Sequence, residues 1–197
     1  MDVDVGRGPH PACRGRDPQL RPVHLLLRAL PQPHGGPGVP RPRARRVVVG
    51  LGAPERGDDA VGSAVAREVA RRLADSPLPG VEVVERHDPT ALIELWAGCT
   101  LSVVCDAVRS GSPAGTLHVV RTGPDQPPLT EGHAQEAGSH DFGLASAVEL
   151  ARALDRLPEV VVVGVEAQSF GWGEALTGPV ADAVPAAAAE VLRVLQR

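Results

Sequence analysis

From residue 47 onward, short unbroken apolar runs alternate with segments whose apolar residues return every three or four positions. That alternation constrains the fold more than any other feature of the chain. The stretches 47–51, 81–86, 101–107, 116–121 and 160–166 read as strands, and VVVVGVE at 160–166 and VVVGL at 47–51 have the continuous apolar character of strands covered on both faces. Between them, Val61, Val65, Val69 and Leu73 mark one face of a helix over 60–75, with Arg67, Arg71 and Arg72 left to solvent. Pro89 opens a short helix carrying Leu92, Leu95 and Trp96. A third helix follows SHDFG, with Leu144, Val148, Ala151 and Leu154 inward and Ser139 or Asp141 as its cap, and an Ala-rich helix closes the chain from about 180. The expected fold is a single α/β domain: a doubly wound, mostly parallel twisted sheet with helices on both faces. Such sheets place ligands beyond the carboxyl ends of their strands.

The domain is expected over 46–197. Residues 1–45 are rich in Pro, Gly and Arg, lack either periodicity, and read as a disordered extension. Charge follows the same boundary. The first 45 residues hold eight Arg against three acids, and the remainder twelve Arg against twenty-one, so the folded part is acidic although the whole chain carries only −4. An acidic body lacks the concentrated basic face that phosphate contacts need, which argues against nucleic acid as a partner. Cys13, Cys99 and Cys105 are odd in number and show no CxxC spacing, so reduced thiols and a cytoplasmic setting are expected. No run approaches 18 apolar residues, which excludes a spanning helix and points away from the membrane.

Three polar features fall at the expected strand ends. Asp58 and Asp59 follow the first strand through the turn GLGAPERG, Asp106 ends the third strand, and His140 stands at the exit of a long aperiodic loop over 122–138. The glycine turn satisfies neither the Walker loop, which needs Gly-Lys-Ser/Thr, nor the dinucleotide fingerprint, because Gly50 and Gly52 are followed by Ala53, Pro54 and Glu55. Spacing alone allows Asp58 to be a helix cap with Asp59 in the first turn, and His140 to be a surface histidine. An Asp closing an apolar strand still needs a cation or hydrogen-bond donors. Two carboxylates and an imidazole in one crevice would form an O, O, N set suited to a divalent transition metal.

In order along the chain, GLGAPERGDDAVG, VVCDA, SHDFGL and VVVVGVEAQSFGWGEALTGPV resemble the hydrogenase maturation proteases over roughly residues 46–195. These endopeptidases trim the C-terminal extension of the large subunit of nickel-iron hydrogenases. The resemblance implies that Asp59, Asp106 and His140 are the metal ligands and catalytic residues, and that the partner is a large-subunit precursor. It also implies that the metal is nickel carried in by that substrate; three side-chain ligands in an exposed crevice are expected to bind free divalent metal only weakly. Where the family usually has Asn and Gly, this chain has Ala53 and Ala60.

Metal-dependent peptide hydrolysis without a protein nucleophile is the expected chemistry, since GxSxG is absent and strand alternation turns Cys105 away from the face of Asp106. Glu166 reads either as a crevice residue behind the ligands or as a solvated strand end. His133 is a further ligand candidate, and His118 is expected to point out of the sheet. Two other readings compete: a non-catalytic nickel-sensing or chaperone protein for hydrogenase assembly, and a peptidyl-tRNA hydrolase-like enzyme, whose first strand also leads into a GLGNP turn.

Overall fold

The structure is a computed structural model that describes residues 44–127, 129 and 143–197. The stretch 1–43, and with it Cys13, lies outside the described residues, as do His133, Ser139, His140 and Asp141.

Among the described residues five strands and four helices follow in the order β1 (Arg45–Leu51), α1 (Val61–Asp75), β2 (Val81–Arg86), α2 (Ala91–Leu95), β3 (Cys99–Val108), β4 (Leu117–Thr122), α3 (Leu144–Ala153), β5 (Glu159–Glu166) and α4 (Gly178–Leu195). The sheet order is β2-β1-β3-β5-β4. β1 pairs in parallel with both β2 and β3, β3 pairs in parallel with β5, and only β4 runs antiparallel, against β5. The interior strands are apolar because both faces are covered: Val47, Val48 and Val49 are all fully buried. On one face α1 and α4 pack over Val48, Val103, Cys105, Val161 and Val163. On the other, α2 and α3 cover Val47, Val49, Val104, Val160 and Val162.

Several local expectations change. The helix expected from residue 60 starts one residue later, after a 3-10 turn over Gly57–Ala60. Arg72 is not left to solvent: Glu68 accepts from its Nε at 2.7 Å, and the carbonyl of Pro185 in α4 accepts from its Nη2 at 3.0 Å. Leu144, Val148 and Ala151 are buried as expected, but Leu154 is 50% exposed, because α3 ends at Ala153 and the next residue leaves the helical face. Its N-cap is Gly143, which makes no side-chain cap.

Two glycines set how closely α1 meets the sheet. A Cβ on Gly50 would lie 2.5 Å from the carbonyl oxygen of Gly62, and a Cβ on Gly62 would collide with the carbonyls of Leu51 and Cys105. The first turn of α1 therefore rests backbone to backbone on the ends of β1 and β3. A side chain at either position would lift it off.

Candidate active site at the sheet's switch point

β1 leads through α1 to β2 on one side, while β3 lies on its other side, so strand order reverses between β1 and β3. Loops leaving adjacent strands there diverge and open a crevice beyond the strand ends. The two carboxylates expected to act together flank this point: Asp59 follows β1, and Asp106 is one residue beyond Cys105, whose register partner on β1 is Gly50.

Asp59 is partly exposed in the 3-10 turn. Its Oδ2 accepts from the main-chain N–H of Ala53 at 2.9 Å, and its own N–H donates to the Arg56 carbonyl at 3.1 Å. Gly52, at φ +124, lets the turn pass directly against the backbone of Asp59, where any Cβ would strike the Asp59 carbonyl. The glycine turn thus clasps this aspartate through main-chain atoms alone. Among the described residues Asp106 has one hydrogen bond, accepting at Oδ1 from the N–H of Ala107 at 2.8 Å. Burial at the strand end, helped by repulsion from the Asp59 carboxylate, pushes Asp106 up to about 8, and the Ala107 bond only partly opposes this. Asp59 and Asp106 are therefore electrostatically coupled, and the raised Asp106 favours its protonated form at neutral pH. Among the described residues no three His, Cys, Asp or Glu side chains come together closely enough to hold a metal ion. The third expected ligand, His140, lies outside the described residues.

Asp58 does something the sequence did not suggest. It caps no helix. Its side chain is fully buried, and its carboxylate accepts four hydrogen bonds from the irregular segment after β5: from the N–H groups of Gln168 and Ser169 at 2.8 and 2.9 Å, and from the N–H and hydroxyl of Thr177 at 2.6 and 3.0 Å. The Asp58 N–H returns a bond to the Ser169 carbonyl at 2.9 Å. Burial alone would raise this carboxyl, but the donors from Thr177, Ser169 and Gln168 outweigh it and hold it below its ordinary value. One aspartate of the pair ties down a strap over residues 167–177, and the other, partly exposed, is held by the glycine turn. The run SFGWGEALTG, rich in Gly and bounded by Thr177 at the N-cap of α4, was the available signal for such a segment.

Glu166 is neither a solvated strand end nor an open crevice residue. It is 1% exposed and accepts from the N–H and hydroxyl of Ser110 at 2.8 Å each, from the Gly111 N–H at 2.9 Å, and it pairs with His118 Nε2 at 3.1 Å. It anchors the turn between β3 and β4. His118 accordingly does not point away from the sheet: it faces Glu166 because β4 sets it opposite Gly164 on β5, two residues before that carboxylate. Cys105 is fully buried in the core beneath α1, and burial, with the nearby Asp106 carboxylate, pushes its thiol up to about 12. It is a packing residue rather than a nucleophile.

The family model described as hydrogenase maturation protease matches residues 64–194, well over half of the chain. Among solved structures, the hydrogenase maturating endopeptidase HybD from E. coli is similar at 21% identity and a TM-score of 0.62, over 77% of this chain and 92% of that one. A [NiFe] hydrogenase maturation protease HycI from Thermococcus kodakarensis is similar at 23% identity and a TM-score of 0.60, over 78% of this chain and 94% of that one. These likenesses show the fold. No curated protein matches the chain.

Proposed function

This chain belongs to the hydrogenase maturation protease family, and from that premise we propose that it removes the C-terminal extension of a nickel-loaded hydrogenase large-subunit precursor. The family makes it a hydrolase of peptide bonds. Asp59, Asp106 and His140 are proposed to recognise the nickel that the precursor carries. One observation carries this reading: burial and the Asp59 carboxylate across the switch point both raise Asp106, which among the described residues accepts only the Ala107 N–H. A divalent cation would stabilise both carboxylates in their charged form, and the O, O, N donor set of Asp59, Asp106 and His140 would suit a transition metal with open positions.

The chain's own residues divide the work. Ala53 and Gly52 orient Asp59 through the turn backbone. Asp106 is pushed up to about 8 by burial and by Asp59, so binding of a cation there would be linked to release of its proton. Cys105 takes no part, being sealed under α1. The bound ion would polarise the scissile carbonyl or activate water.

The test is the intact mass of a nickel-loaded large-subunit precursor after incubation with a catalytic amount of this protein, beside nickel-free precursor. Loss of a C-terminal fragment from the loaded form alone supports the reading. Cleavage of both forms alike refutes the nickel requirement, and stoichiometric binding without any mass change refutes the protease activity.

A further inference from the structure

The chain has two tryptophans. Trp96 is 1% exposed in the core, and Trp172 is 77% exposed on the strap over 167–177. Tryptophan carries the largest apolar surface of any side chain, and one held in water beside a candidate active site is the kind of anchor that partner proteins bury. The strap has no helix or strand of its own, yet it is held firmly. Asp58 accepts from both of its ends, Gly173 N–H donates to the Glu55 carbonyl at 2.7 Å, and Ser169 Oγ donates to Glu174 at 2.6 Å. The Arg109 guanidinium lies 4.8 Å from the centroid of the Phe170 ring. Arg109 is exposed and makes no ion pair among the described residues, so the stack presents a positive group without a carboxylate partner. The strap is tied to the turn that carries Asp59, through Asp58 and Glu55, and its Phe170 meets Arg109, three residues beyond Asp106 in the chain.

We propose that this strap is the docking platform for the precursor polypeptide, with Trp172 covering an apolar side chain and Arg109 receiving a carboxylate from the same partner segment. The proposal rests on the endopeptidase reading for the partner's identity. Its own content is which residues hold that partner and what chemistry they select. Contacts away from the scissile bond supply binding energy that orients a large substrate over the crevice. A preformed strap delivers that energy without paying to order a loop.

The test uses the full chain and a nickel-loaded large-subunit precursor. Trp172 is the solvent-facing fluorophore, so acrylamide quenches its red-shifted emission while Trp96 stays protected. Saturating precursor is expected to protect Trp172. Trp172→Ala is expected to raise KM on the order of tenfold, as for loss of an interface anchor, with kcat changed less than about twofold, and Trp172→Phe recovers most of the loss. Arg109→Glu is expected to raise KM and to flatten its dependence on salt. Wild-type cleavage with Trp172 still fully quenchable in the complex and an unaltered KM for Trp172→Ala overturns the platform and leaves the protease reading standing. Protection of Trp172 by a precursor that is never cut keeps the platform and removes the endopeptidase. Neither protection nor cleavage removes both.

Discussion

The main-chain N–H of Ala53 donates to Asp59 Oδ2 at 2.9 Å, so the crevice aspartate is oriented by backbone and not by the side chain at position 53. Ala at position 53 therefore leaves this orientation intact. Asp59→Asn keeps an acceptor oxygen for Ala53 while removing the charge. It is expected to lower cleavage by at least about a hundredfold, the scale of losing a charge-stabilising group, with a thermal midpoint close to wild type. Single-turnover cleavage followed by mass, beside a circular-dichroism melt, checks both halves.

Asp58→Ala leaves three N–H groups and a hydroxyl with no acceptor in a fully buried site. Loss of stability of about 3 kcal/mol is expected, in line with stranding donors that had bonded a charged group. Urea denaturation measures it, and hydrogen exchange should show Gln168, Ser169 and Thr177 losing protection before the sheet does.

Glu166 gives the fold an acid-sensitive contact. Burial acts to raise its pKa, but the Ser110 and Gly111 donors and the His118 ring prevail and set it below the ordinary 4.5. A carboxyl depressed in the folded state stabilises the protein fully above its unfolded value. That contribution is lost as the pH falls through the folded value, so the affected window lies below about pH 4.5. Glu166→Gln should flatten the stability profile there, and denaturation midpoints at pH 3 to 6 for both proteins test the slope.

Cys105 sits in the core with its thiol pushed up to about 12. Cys105→Ala should cost about 1 kcal/mol for the lost sulfur contacts and leave kcat within about twofold. Iodoacetamide should not modify Cys105 in the folded protein, as read by peptide mass mapping. A folded Cys105→Ala protein without activity would contradict the assignment.

Gly62→Ala pushes a methyl into the carbonyls of Leu51 and Cys105, both backbone atoms that cannot swing aside. A loss of about 3 kcal/mol is expected, the upper range for overpacking. Gly178→Ala, where a Cβ meets nothing within 4 Å, is the matched control and should change stability by less than about 1 kcal/mol. Thermal melts of the pair separate close packing from the general effect of replacing glycine.

Sequence by itself determined the alternation of strand and helix, and with it the α/β class, the order in which Asp59 follows β1 and Asp106 falls near the end of β3, and the resemblance that the family match upheld. These are properties of local periodicity and linear order: a buried parallel strand must be apolar throughout, and a crevice residue must follow one. Only tertiary structure decided the division between Asp58 and Asp59, because the donors that claim Asp58 come from residues 110 and more positions away in the chain. The same holds for Glu166 and His118, which antiparallel pairing of β4 with β5 brings face to face. Leu154 was misplaced because periodicity does not mark where a helix stops. A sequence carries its periodicities on its surface, whereas a hydrogen bond between distant segments exists only once the sheet has set their register.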